Sequence, residues 1–135
     1  MPKKTSNKSE YIKSIKNVSY MHNSDHMVGI KITTDKSEIM LSICDEESCC
    51  EKWDYSKVKD FNVKDLIGAK ILSFKEKMCG KNDGEGPKRL ELIIKVQKTN
   101  EKLDEIKLFV ENNHNGYYPH TYHIKYPNVD DDGIL

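Results

Sequence analysis

Leu90-Glu-Leu-Ile-Ile-Lys-Val96 carries the strongest structural signal in this 135-residue sequence: Leu90, Leu92, Ile94 and Val96 take every second position, with Glu91 and Lys95 between them. A period of two lays one set of side chains on one face of an extended chain, so the run predicts a half-buried β-strand. Thr99-Asn-Glu-Lys-Leu-Asp104 turns it back, and Ile106, Leu108 and Val110 continue the alternation on the return. The same design stands earlier in the chain. Val28, Ile30 and Ile32 alternate with Gly29 and Lys31, Thr34-Asp-Lys-Ser37 makes a turn, and Ile39, Leu41 and Ile43 follow. Two hairpins therefore dominate the chain.

Other elements are placed around them. Glu10 to Tyr20 carries Ile12, Ile15, Val18 and Tyr20 at spacings between helix and strand, and its second half reads as a strand. Trp53, Tyr55, Val58 and Phe61, then Asn62 to Gly68, suggest a loop with one short helix after Cys50, in which Trp53 caps the core. Ile67 to Phe74 predicts a further strand. Gly80 to Pro87 is glycine-rich and reads as a mobile surface loop, and Tyr122, Ile124 and Tyr126 form a last strand ending at Pro127.

The halves share an order. Val18-Ser-Tyr20 resembles Leu72-Ser-Phe74, Ile30-Lys-Ile32 resembles Ile94-Lys-Val96, and Glu38-Ile-Met-Leu-Ser-Ile43 registers without a gap on Glu105-Ile-Lys-Leu-Phe-Val110. That last match runs into the two oddest segments, Cys44-Asp-Glu-Glu-Ser-Cys-Cys50 and Asn112-Asn-His-Asn-Gly-Tyr-Tyr-Pro-His120. Alternation alone makes any two amphipathic hairpins alike, so duplication and coincidence both stay open. The expected fold is α+β: mainly antiparallel sheet built from two similar strand-plus-hairpin halves, with one short helix. The expected organisation is a flexible basic tail over residues 1–10, a single domain over 11–127 with halves near 11–61 and 62–127, and an acidic tail over 128–135.

Composition narrows the function classes. Twenty-two basic and 22 acidic residues cancel, so no global field exists to hold a phosphate backbone, and nucleic acid binding is not expected. Arg89 is the only arginine, which weakens any bidentate anion clamp, and the lysine- and asparagine-rich usage suggests an AT-rich genome. No apolar stretch approaches the roughly 20 residues of a membrane helix, so a cytoplasmic protein is expected. In that reducing setting Cys44, Cys49, Cys50 and Cys79 read as thiols or metal ligands, and a disulfide between adjacent Cys49 and Cys50 would strain the backbone.

Three chemistries compete for the odd segments. Zinc needs converging soft or borderline ligands, which Cys44, Cys49, Cys50, His114, His120 and His123 could supply, although only Cys44-x4-Cys49 has knuckle spacing. A nucleophilic Cys49 or Cys50 with His114 or His120 as base lacks a recognisable context. Its neighbours Asp45, Glu46, Glu47 and Glu51 would raise the thiol pKa. Simplest is a rigid turn at Asn115-Gly116 that presents His114, Tyr117, Tyr118, His120 and Tyr122 as a binding surface, or whose tyrosines merely cover the core edge. His22 and His26 read as loop histidines that could join Asp25 on a metal, with no fourth ligand apparent. The common motif-marked enzyme classes find no phosphate loop, nucleophile elbow or His-Glu-x-x-His helix here.

Asp45-Glu-Glu-Ser-Cys-Cys50, Trp53, Asp65-Leu-Ile-Gly68 and Asn115-Gly-Tyr-Tyr118 together resemble a small domain family of unknown function found in tailed phages and large DNA viruses. The resemblance covers Val28 to Ile124 and implies a viral source, hence host cytoplasm or virion, without implying an activity. In that family an acidic residue precedes the Cys pair and Ser follows, whereas here Ser48 precedes and Glu51 follows. The function expected is a non-catalytic accessory or interaction protein with no cofactor, engaging a protein partner or a second copy through Asn115, Gly116 and their neighbours. The alternative is a zinc-binding domain, structural or hydrolytic, built by Cys44, Cys49, His114 and His120.

Overall fold

In the computed structural model, which describes residues 9–45, 53–80, 88–112 and 120–135, the alternating runs form antiparallel ladders. The strands are β1 (Ile12–His22), β2 (Asp25–Thr34), β3 (Glu38–Cys44), β4 (Trp53–Tyr55), β5 (Lys70–Gly80), β6 (Lys88–Gln97), β7 (Leu103–Asn112), β8 (Thr121–Tyr126) and β9 (Val129–Ile134). A 3-10 turn (Val58–Asp60) and the one-turn helix α1 (Val63–Leu66) lie between β4 and β5. One sheet has the order β1-β2-β3-β8-β9 and the other β4-β7-β6-β5.

Each sheet has one apolar face, and the two faces bury each other. Ile30, Ile32, Leu41, Ile43 and Ile124 from the five-stranded sheet join Leu92, Ile94, Val96, Leu108 and Val110 from the four-stranded sheet in one buried cluster. Trp53 and Phe61 pack against its edge, and Leu66 of α1 enters it.

The ambiguous spacing before Tyr20 has a simple cause. All of Ile12–His22 is strand, but the pairing slips between Ile12 and Ser14, opposite Thr34 and Thr33. The extra residue of this bulge resets the parity, so Ile12 and Ile15, three apart, are both buried on the core side. An equivalent slip between Ile71 and Ser73 of β5 lets Ile71 and Phe74 both pack on the core and leaves Leu72 exposed.

The connections between the sheets are reciprocal. β3 leads to β4, which pairs with β7 in the other sheet, and β7 leads to β8, which pairs with β3. Ile43 faces Tyr122 and Val110 faces Tyr55, so one offset of 67 residues carries both partners of the first pair onto those of the second. The ungapped match of Glu38–Ile43 on Glu105–Val110 has this offset. The other two sequence matches slip. Val28 pairs with Ile43 and Leu90 with Val110, so Ile30 corresponds to Leu92, not Ile94, because the second hairpin has the longer turn. The two bulges likewise align Ile12 with Ile71, which moves Val18 from Leu72 to Lys77.

The acidic tail expected over 128–135 is instead strand. Asn128, at φ 68°, turns the chain back after Pro127, and Val129–Ile134 pairs along the whole of β8. Leu135 exchanges two backbone hydrogen bonds with His120 and is buried. A polar strand is stable here because one face is solvated while the ladder satisfies its backbone.

Candidate functional site

Two places on the sandwich bring together residues singled out in the sequence. The first is the end where β3 and β7 stop and β4 and β8 start. Trp53 pairs with Asn112 in the β4–β7 ladder, the Trp53 and His120 rings lie 5.6 Å apart, and His120 Nδ1 donates to the Cys44 carbonyl at 2.8 Å. Asn112 donates from Nδ2 to the Leu135 carbonyl at 3.1 Å. Residues flanking both odd segments are therefore neighbours. Cys44 and His120 are buried, and Tyr122 packs against the core cluster. Cys49, Cys50, His114, Asn115, Gly116, Tyr117 and Tyr118 lie outside the described residues, as do residues 81–87 of the loop expected over Gly80 to Pro87, whereas Gly80 ends β5.

The second place is the face of the five-stranded sheet turned away from the core. Register puts Tyr20 and His22 of β1, Gly29 of β2, Ser42 of β3, His123 of β8 and Asp130 and Asp132 of β9 on this one face. Gly29 makes the arrangement possible. A Cβ there would stand 2.1 Å from the Leu41 carbonyl oxygen and 2.7 Å from Ser42 Cβ. With no side chain between them, Tyr20 shares a hydrogen bond of 2.5 Å with Ser42 Oγ and one of 2.9 Å with His123 Nδ1.

The chain of contacts continues outward. His123 Nε2 lies 2.7 Å from Asp130 Oδ1, and His22 Nε2 lies 2.7 Å from Asp132 Oδ1. The two imidazoles stack at 4.1 Å with their planes only 4° apart. The histidine and carboxylate ligand atoms of His22, His123 and Asp132 all fall within 4.8 Å of one another. Burial pushes the Tyr20 phenol above its ordinary value, the bond with Ser42 pulls it down, and Asp132 and Asp130 push it up again. The hydrogen bond from His123 holds the Asp130 carboxyl below the usual carboxylate value.

Ser42 is wholly buried, so its hydroxyl anchors Tyr20 and presents no open nucleophile. Outermost, His22 and Asp132 keep side-chain exposures of 25% and 44%, so the row of contacts is open to solvent on that side.

Histidine pairing differs from the sequence expectation. His26 follows Asp25, the partner of His22, and so faces the opposite side of β2, where its ring nitrogens lie 2.6 Å from Ser19 Oγ and 2.6 Å from Asp45 Oδ2. His22 instead meets His123, 101 positions away. Asp130 and Asp132 were missed because the run Asp130-Asp-Asp132 read as a solvated tail. The signal that could have found them is the hairpin punctuation Pro127-Asn128, which licenses a returning strand with alternate aspartates on one face.

Among the described residues no helix is long and apolar enough to cross a membrane. No curated protein and no solved structure matches the chain. A family model does match, over residues 9–124, from the residues before β1 to the middle of β8, and the chain belongs to that family, a domain of unknown function (DUF7448).

Proposed function

We propose that the protein is a non-catalytic interaction protein of viral origin, acting in the host cytoplasm or the virion, with His114 to Tyr122 as its contact surface. The observation that supports this reading is the closeness of Cys44, Trp53, Asn112 and His120, which flank both odd segments at one end of the sandwich. Segments anchored on rigid strand ends present side chains at low entropic cost, and tyrosines supply large amphipathic contact area. The partner is another protein or a second copy of the chain. Light scattering and pull-down from host lysate, compared between wild type and the Tyr117→Ala/Tyr118→Ala double variant, test it. Loss of assembly or of a bound protein is expected in the variant, and a variant that keeps both overturns the reading.

The 67-residue offset shared by β3 with β7 and by β4 with β8 supports an origin of the two halves by duplication. On that view the two odd segments are counterparts.

A zinc site of Cys44, Cys49, His114 and His120 is the second reading, favoured by the 2.8 Å contact between His120 and the Cys44 carbonyl. Metal analysis of untagged protein, repeated on Cys49→Ser and His114→Ala, tests it. Absence of stoichiometric metal removes it.

A further inference from the structure

We propose that His22, His123 and Asp132, with Asp130 as fourth donor, form a binding site for a divalent first-row transition ion of the zinc class. Asp130 and Asp132 project from the same face of β9, two residues apart, against two imidazoles stacked at 4.1 Å. In each of two pairs, His22 with Asp132 and His123 with Asp130, an imidazole nitrogen and a carboxylate oxygen stand 2.7 Å apart, so nitrogen and oxygen donors converge at one spot. One dication matches this set: it balances the two carboxylates and takes a lone pair from each neutral ring.

The donor set and its surroundings suit such an ion. Two imidazole nitrogens and two carboxylate oxygens are borderline-to-hard ligands, the set that zinc, cobalt and nickel accept. Donors about 2 Å from a tetrahedral ion stand roughly 3.3 Å apart. Those of His22, His123 and Asp132 already lie within 4.8 Å, so the rings need only tilt out of their stack and draw in. On binding, each contact between Nε2 and a carboxylate gives way to two bonds to the ion, and the His123 ring proton sits on Nδ1.

A separate feature accommodates that tautomer. Tyr20 Oη stands 2.9 Å from His123 Nδ1 and is held from behind by the buried Ser42 hydroxyl. A ligating histidine that donates its other ring N–H to a fixed acceptor is the usual outer-shell arrangement around metals. Tyr20 is thus a positioning residue. The imidazoles lie inside the stretch matched by the family model, and the carboxylates come from β9 beyond it.

The test uses untagged full-length protein stripped with chelator. Zinc is titrated calorimetrically and cobalt by visible absorption. One equivalent binding at micromolar affinity or tighter is expected, with a cobalt spectrum free of thiolate charge transfer. His22→Ala and Asp132→Asn should each weaken binding roughly a hundred-fold or more, and Tyr20→Phe about ten-fold, the effect of losing an outer-shell partner. His26→Ala and Cys49→Ser should leave it unchanged. Circular dichroism of the metal-free variants checks that each is folded. The proposal is overturned by any of four results: no binding, undiminished binding in both ligand variants, magnesium binding as tightly as zinc, or thiolate bands that vanish in Cys49→Ser. The last would assign the ion to the Cys44 and Cys49 set instead.

Discussion

On the outer face of β6 and β7, Arg89 lies 3.9 Å over the Phe109 ring and pairs with Glu91 at 2.7 Å and Glu111 at 3.0 Å. On the outer face of β2 and β3 the corresponding positions are Met27, Ser42, Gly29 and Cys44, and the polar groups arrive from other strands. The backbone pairing is the same. One sheet fills its centre with an ion-paired cluster carried by two adjacent strands, and the other leaves a glycine floor across which β1, β3, β8 and β9 meet. The contrast shows that a ladder does not dictate what its solvent face does. An extra strand decides it here, because β9, which has no counterpart in the four-stranded sheet, supplies Asp130 and Asp132.

The largest effect should come from filling the glycine floor. Gly29→Val drives side-chain atoms into the Leu41 carbonyl and Ser42, and should cost roughly 4 kcal/mol or abolish folding. Glu91→Ala, at the corresponding place in the other sheet, should cost about 1–2 kcal/mol, since it removes one of the two carboxylates paired with Arg89, leaves Glu111 in place and adds no clash. Urea midpoints of the two variants measure the difference, and equal losses would break the contrast.

Next in size are core truncations at matched positions. Leu41→Ala and Leu108→Ala each remove a fully enclosed side chain from the shared cluster and should each cost about 2–5 kcal/mol. Similar losses in one cooperative transition would sharpen the view that the faces differ while the core is common. Two separate transitions would break it.

Tyr20→Phe strips the hydroxyl that joins Ser42 to His123 and should cost about 1–2 kcal/mol in urea denaturation, because Ser42 Oγ is buried. No loss would mean that the polar face is ornamental to the fold.

The smallest effect concerns the joint between the sheets. Tyr126 donates to Glu76 of β5 at 2.6 Å, and burial first, then this bond and the Glu76 charge, push its phenol from 10.0 up to about 12. The native state then holds a proton that the unfolded chain releases. The contribution is fully present below pH 10 and disappears as pH rises to about 12. Stability should fall across that window in wild type, and less steeply in Tyr126→Phe, measured by denaturant midpoints at successive pH values.

Much of the fold was legible because strand signals are local. Leu90 to Val96 and Ile106 to Val110 alternate cleanly, and the short helix after Cys50 and the antiparallel character follow from the same reading. The bulges at Lys13 and Leu72 were not legible, because one inserted residue turns a period of two into a spacing of three that mimics a helix. Strand β9 was hidden for a different reason. Three consecutive aspartates look like a solvated end unless a partner strand is known to lie beside them.

The candidate sites divide in the same way. Cys44 and His120 were singled out for their residue types and stand together, while the pairing of His22 with His26 dissolved once the hairpin put them on opposite faces. By itself the sequence determined which residues of β2, β3, β6 and β7 face the core cluster, since side-chain direction follows from the backbone period where no bulge interrupts it. Only the tertiary structure decided which outward residues meet. His22 and Asp132 come together through four strand pairings in succession, from β1 to β9, and a hydrophobic pattern records the face of each strand but never its neighbour.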